Sequence, residues 1–454
     1  MVRSINKPVA ILGAGLAGLT AANYLQRHDV PVRLFEAGPK IAGLAQSFQD
    51  AEGFTYDFGA HFITNRLAAA LGISALCRDV RTYGESVHLG GRNCNYPFGL
   101  LRNLRFTLSA LASRLPRWKR RPVQSAADWF AAKYGRALAG AVANPLTEAW
   151  SGLPASELSP AVADSIPGSI AETLLLKAMG RLTHRAVAIG YSREVPASPH
   201  VWHVYPEGGL GLLCKHLARE LSDVIELNSP VEAIEVENDR AVAVRVNGER
   251  HEASAVISTA PCHILAKLVR GTDALSYLAR FRYRPMSFVN LRFQGRGLLP
   301  DVVLWTPEKQ FPFFRLTETP LCMPWLAPEG KTVVTVDIGC QVGDAIWTMP
   351  EEQLGEYCLD HLQPIIPDAR QRYLGCRVLR TPVAYPVFAK EYEADRRRFA
   401  YSSEIEGLHS VGRNGEFSHI FMEDVYWRTL KKMRRLRQKL STSSSDHSLK
   451  GRPR

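Results

Sequence analysis

Gly13, Gly15 and Gly18 fall in G-x-G-x-x-G spacing, and Glu36 follows the first of them by 23 residues. Glycines so spaced let the chain turn tightly, let a pyrophosphate approach the backbone, and let a helix close onto the preceding strand. A carboxylate ending the next strand can accept hydrogen bonds from an adenosine ribose. The chemistry implied is dinucleotide binding, with Gly13, Ala14, Gly15, Leu16, Ala17 and Gly18 around the phosphates and Glu36 at the ribose. A helix opening after Gly15 would add unpaired N–H groups and the positive end of its dipole.

The elements needed to hold these residues surround them. VAIL, from Val9 to Leu12, is an apolar run suited to a strand buried on both faces. Val32 to Phe35 is the second strand, with the helix between them. A compact nicotinamide domain would continue as alternating strands and helices. Instead comes AGPKIAGLAQSFQDAEGFTYDFGAHFI, a glycine-rich excursion. Gly38 and Gly43 permit close backbone approach, Lys40 could neutralise phosphate, and His61 would sit near the far end of a long cofactor. This excursion, with the late glycine turn at Gly412, favours FAD over NAD.

Composition narrows the setting. At 454 residues, 46% hydrophobic and 22% charged, the chain has an ordinary globular make-up with core enough for two or three domains. Its eight cysteines form no C-x-x-C pair, which argues against a zinc site or a disulfide framework and fits a reducing compartment. No metal is expected. No apolar run reaches the roughly 18 residues of a membrane-spanning helix. The strand beginning at Val9 leaves no room for a cleavable leader, so a cytoplasmic location is expected. The net charge of +12 is uneven: from Arg428 onward there are ten Lys/Arg against one Asp, and residues 114–121 form a second basic cluster around Trp118. No nucleic-acid module accompanies these segments. A solvated tail and peripheral contact with an anionic membrane through 114–121 and 428–454 both remain as readings.

Residues 66–205 carry little sheet pattern, with helices expected over 102–115, 126–148 and 170–182, and a Pro/Ser/Gly break at 151–160. YPEGGLGLLCKHLAREL reads as a glycine turn opening a helix near Leu210. From Val224 the pattern becomes strand, a meander whose turns are NDR and NG, returning through Ala255 to Ser258. Further strands are expected at 287–293, 302–305, 331–338 and 375–379, with helix at 350–362. GLHSVGRNGEF then gives a short strand ending in glycine. MEDVYWRTLKKMRRLRQKL follows as a helix with Glu423 and Asp424 in its first turn and an apolar stripe of Leu430, Met433, Leu436 and Leu440.

Together the opening motif, the excursion after Glu36, GGLG, VEAIEVEN, VISTAP and VGRNG resemble the flavin amine oxidase superfamily. SAADWFAAKYGRALAGAVANPLTEAWSGLPASELSP is similar to the helical segment of its protoporphyrinogen-oxidase-like branch, which overlaps UDP-galactopyranose-mutase-like sequences. The resemblance implies an α/β fold: a Rossmann-like FAD-binding domain of the glutathione-reductase type, discontinuous in sequence, with an inserted α+β substrate domain. On this division residues 1–83, 206–270 and 396–440 form the FAD-binding domain and 84–205 and 271–395 the substrate domain, followed by a disordered basic tail, 441–454. The family's E-x-x-x-R-x-G-G run lands on Glu36, Lys40, Ala42 and Gly43, with Lys for Arg and Ala for the first Gly. The implied FAD contacts extend over Ala37, Lys40, Gly43, Leu44 and His61, a strand valine at Val231, and Gly412, Met422, Glu423, Asp424 and Val425 around the flavin.

The implied activity is dehydrogenation of a hydrophobic or polycyclic small molecule. Two alternatives stand beside it: a flavin-dependent nucleotide-sugar mutase without net redox, and a non-catalytic binder of lipidated protein like the Rab escort proteins. His61 and Arg413 are the catalytic candidates, with His419 a second histidine of suitable chemistry. Each histidine reads equally as structural, and Arg413 as a holder of an anionic group or as a solvent-side salt bridge.

Overall fold

Every side chain of Val9–Leu12 (strand β1) is buried, and the pleat divides them between two cores. Val9 and Ile11 face one core, Ala10 and Leu12 the other, so the run is apolar without alternation because neither face meets water. In the computed structural model, which describes residues 7–59, 61–115, 122–165 and 170–449, β1 is central in a five-stranded parallel sheet. Leu16–Gln26 (α1) and Val32–Phe35 (β2) follow it, and Ile225–Glu226 (β3), Ala255–Ser258 (β4) and Leu408–Ser410 (β5) return much later in the chain. The spatial order is β3-β2-β1-β4-β5. Val9 lies opposite both Val32 and Ala255.

One face of this sheet is covered by α1, helix Gly211–Ala218 and the last helix, Met422–Leu449 (α2). Met433 and Leu436 of the predicted stripe are buried there. The other face is covered by the antiparallel meander 231–252, whose turns place Asn238, Asp239, Asn247 and Gly248 at positive φ as two-residue hairpins require.

A seven-stranded sheet stands apart from the parallel one, ordered 373–386, 283–294, 331–339, 315–317, 303–305, 85–89 and 92–95. Its last two strands correct the expectation of little sheet between 66 and 205. Gly90 and Gly91, both at positive φ, close a tight hairpin between ESVHL and RNCN, and that pair was the missed signal. The helix expected over 126–148 is broken at Gly135 (φ +81°), where a Cβ would lie 2.4 Å from the Ser109 carbonyl carbon.

α2 continues to Leu449, past the expected end at Leu440, so residues 441–449 are helical rather than disordered. No Gly or Pro interrupts them, and the Ser441 and Thr442 hydroxyls donate back to the carbonyls of Arg437 and Gln438. Part of the basic tail is engaged in ion pairs: Arg428 and Lys431 with Glu194, Arg428 and Lys432 with Glu416. Of the other basic segment, residues 116–121 lie outside the described residues. No helix among the described residues is long and apolar enough to cross a membrane.

Candidate functional site

The carboxyl ends of β1, β2, β4 and β5 converge on one cavity of about 1290 Å³, walled there by Gly13, Glu36, Thr259 and Gly412. This is where open parallel sheets take ligands. The seven-stranded sheet forms an opposing wall through Glu85, Trp305 and Arg315.

The three glycines of the first turn have separate tasks. At Gly13 (φ +96°) a Cβ would lie 2.2 Å from Thr259 Oγ1, whose hydroxyl donates to the Leu12 carbonyl at 2.7 Å. At Gly18 it would lie 1.9 Å from the Gly13 carbonyl oxygen. Gly13 makes room for Thr259 at the end of β4, and Gly18 lets the helix close onto the turn. At Gly15 a Cβ would meet nothing within 4 Å, because the position faces the open cavity. Gly15 is also the N-cap of α1 and supplies no capping side chain. Leu19 N–H bonds the Gly15 carbonyl at 3.0 Å, which leaves the N–H groups before it for a ligand.

Glu36 is fixed by the turn itself: Oε2 accepts the Ala14 N–H at 2.7 Å and Oε1 the Gly38 N–H at 2.8 Å. Ala42 N–H donates to the Ala14 carbonyl at 2.8 Å and holds the excursion beside the glycine turn. Ala42 is buried at φ +89°, a left-handed conformation that glycine adopts without cost. Gly43 and Leu44 follow on the cavity wall, whereas Ala37 and Lys40 are exposed and off it. Lys40 therefore does not sit against the phosphate cradle, because the loop turns its side chain to solvent. Ala14 contributes backbone only, and half-buried Val231 packs on the meander core, outside the cavity wall.

At the far end His61, Gly412, Arg413, His419, Met422 and Val425 come together on the wall. Met422 and Val425 share one face of α2. Glu423 and Asp424 point away from the cavity into structural bonds. Glu423 is buried and accepts from Thr64, Arg66 and Trp427, and Asp424 accepts from the Ser192 hydroxyl and the Arg193 N–H. Their side chains clamp neighbouring segments onto the helix start.

The electrostatics here are unusual for a buried site. Asp337, fully buried and directly opposite Arg315 in the sheet, accepts from Arg315 Nε at 2.8 Å and keeps that guanidinium charged. Arg413 has no such acid among the described residues. Its Nε and Nη2 are buried without a hydrogen-bond partner, and the guanidinium lies 4.8 Å from the centroid of the Tyr385 ring. Burial, then Arg315 and Arg413, pushes His61 down to about 4. Burial followed by the same two arginines lowers His419 further. Both imidazoles are neutral at physiological pH, and each has a buried Nδ1 without a partner. The wall acids are engaged, Glu85 by Tyr83 (2.6 Å) and Trp305 (3.3 Å), Asp301 by Ser86 and Asn95. Between the two ends the wall is largely aromatic, with Tyr191 stacked on Phe421 at 4.6 Å.

A ligand of FAD's length fits these observations. The open space over Gly15 marks one end, and the unpartnered atoms of His61, His419 and Arg413 mark the other. Sequence reasoning missed Thr259, Arg315 and Tyr385. Thr259 lies inside the quoted VISTAP motif, and its side chain explains why Gly13 must be glycine. Arg315 gave no local signal, since its partner Asp337 is set by strand register.

The model of the family described as flavin containing amine oxidoreductase matches residues 16–426. The chain is 25% identical over 317 residues to human lysine-specific histone demethylase 2, covering 68% of this chain and 35% of that protein. It is 32% identical over 117 residues to hydroxysqualene dehydroxylase of Rhodopseudomonas palustris, covering 25% of this chain and 27% of that one. The matches thus span about a third or less of the length of these curated relatives. In fold the chain is similar to reduced UDP-galactopyranose mutase, with a TM-score of 0.76 at 18% identity over 95% of both chains. A protein described as a protoporphyrinogen oxidase from Exiguobacterium sp. 255-15 gives 0.72 at 18% identity, covering 96% of this chain and 99% of that one.

Proposed function

The chain belongs to the flavin containing amine oxidoreductase family, as an FAD-dependent oxidoreductase, and from that premise we propose that it dehydrogenates a hydrophobic small molecule. The observation that carries the proposal is the cavity wall beyond the glycine turn, which is rich in aromatic side chains and whose buried charges include the unpaired guanidinium of Arg413. At the His61 end an amine cation would meet Arg413, whose guanidinium has no acid beside it among the described residues, whereas Arg315 is paired with Asp337. A neutral or anionic molecule would not meet that repulsion. The relative named for hydroxysqualene supports an apolar substrate.

In this reading Gly15 and the first turn of α1 bind the pyrophosphate and Glu36 the ribose, while Gly412, Met422 and Val425 border the ring. Bound FAD supplies the electron-pair acceptor, N5 of its isoalloxazine. The start of α2 brings a positive dipole end to that region. The aromatic wall excludes water and orients the substrate's apolar body. His61, held neutral by burial and the two arginines and with Nδ1 free, offers a hydrogen-bonding group beside the reacting atoms, and Arg413 holds an electronegative or anionic group. Membership in an oxidoreductase family speaks against the cofactor-free binder. The same free donors on Arg413 favour a phosphate-bearing substrate as a second reading, the mutase. Activity appearing only after dithionite reduction, with no acceptor consumed, would select that one.

The test is anaerobic mixing of the purified flavoprotein with polyprenoid and polycyclic compounds, followed at the flavin absorption band. Bleaching by apolar compounds and not by amines is expected. Bleaching by amines alone overturns the assignment.

A further inference from the structure

Helix Leu104–Ala112 carries its apolar side outward. Leu104, Leu108 and Leu111 are 75%, 63% and 61% exposed, and Leu115 beyond the helix end is also exposed. Steps of four, three and four residues put them on one narrow stripe. The inward face holds Phe106 and Ser109, whose hydroxyl accepts the Ala137 N–H at 3.0 Å. Helix Ile170–Thr183 repeats the arrangement, with Leu175 and Leu182 exposed seven residues apart while Leu176 and Gly180 line the cavity. The two elements meet where Lys177 Nζ donates to the Tyr96 carbonyl (3.2 Å) and Arg181 lies over the Phe98 ring. Phe98 and Arg181 are both exposed and both on the cavity wall, so the cavity opens to the surface between the two stripes.

The charge along the first of these elements has one sign. Residues 98–123 contain seven Lys/Arg and no Asp/Glu; Arg102, Arg105 and Arg114 are exposed, and the other four lie outside the described residues. At the second helix Arg181 and Arg185 are exposed, with Glu172 also exposed and Arg185 4.0 Å from Asp79. Exposed leucines flanked by cations are complementary to an anionic lipid leaflet, where apolar side chains enter the acyl boundary and the cations are drawn to the headgroups. We propose that this face docks the enzyme on an anionic bilayer and sets the cavity opening against it. That a hydrophobic substrate enters there rests on the proposed reaction; the docking itself does not.

The experiment is sedimentation of the holoprotein with vesicles of phosphatidylcholine alone or with phosphatidylglycerol, in low and high salt. Binding to the anionic vesicles, weakened by salt, is expected. In the triple variant Leu104→Ser, Leu108→Ser, Leu111→Ser the partition coefficient falls roughly tenfold or more, because those side chains no longer transfer out of water. Its bound flavin and circular dichroism stay unchanged, since the stripe is mostly exposed and lies off the cavity wall. Equal partition of wild type and variant overturns the proposal, as does a wild type that stays in the supernatant with both vesicles. A dimer in solution that the variant converts to monomer also overturns it, by assigning the stripe to a second copy of the chain. Either result leaves the flavin-bleaching test above unaffected.

Discussion

Gly15 and Gly18 stand three residues apart in one motif and should fail in opposite ways. Gly15 has φ −77° and ψ −177°, a backbone that alanine adopts freely, and its Cβ would enter open cavity. Gly15→Ala should therefore change apoprotein stability by less than about 1 kcal/mol, a lost N-cap preference being set against a less flexible unfolded chain. The methyl group would occupy the space over the helix N-terminus and displace a pyrophosphate from the N–H groups. Losing one or two charge-assisted hydrogen bonds costs about 3 kcal/mol, near a hundredfold in FAD affinity. Gly18→Ala puts a Cβ 1.9 Å from the Gly13 carbonyl oxygen, so helix and strand must separate, at about 3 kcal/mol or more of stability. Urea unfolding of the deflavinated proteins reads the first quantity, and titration of FAD fluorescence quenching the second. Gly15→Ala protein that binds FAD within about threefold of wild type would refute the assignment of this turn as the phosphate cradle.

Arg413→Ala should raise KM for a substrate bearing an anionic group about tenfold or more, as loss of one charged hydrogen-bond partner implies, with a smaller effect on an uncharged one; steady-state kinetics on the pair checks this. His203 is 2% exposed, and burial pushes its pKa from the ordinary 6.5 to about 3. Its folded value being depressed, stability is fully present above pH 6.5 and is lost as pH falls toward 3, by about 2 kcal/mol at pH 5. Urea midpoints at pH 7 and pH 5 should show that loss in wild type and less of it in His203→Gln. Ala42→Val should destabilise by about 2 kcal/mol at φ +89°, whereas Ala42→Gly should not destabilise; thermal melts of the two variants decide.

The parallel sheet was legible because a strand buried on both faces has no polar positions, and Val9–Leu12 states that outright. The glycine turn was legible because its geometry is local, fixed within six residues. The break at Gly135 was not, since only contact with Ser109 turns that glycine from a weak helix residue into a kink. Arg315 and Asp337 were hidden for the same reason: each is an ordinary charged residue until strand pairing sets them opposite and the core closes over them. Lys40, Glu423 and Asp424 show the converse. Which way each of these side chains turns depends on neighbours such as Ser192 that sequence spacing does not bring near.

The parallel sheet bordering the cavity is completed by β5, and the cavity is walled by α2, both of which follow β1 by about four hundred residues. On the ribosome, β1, α1 and β2 emerge well before the strands that flank them, Ile225–Glu226 and Ala255–Ser258. For that interval Val9, Ile11 and the inner face of α1 lack their lasting cover, which makes the nascent chain a client for holding chaperones. Flavin capture then becomes a late event of biogenesis. A message truncated anywhere before Gly412 would yield a polypeptide with the phosphate turn intact and no enclosed chamber, destined for proteolysis rather than for partial activity.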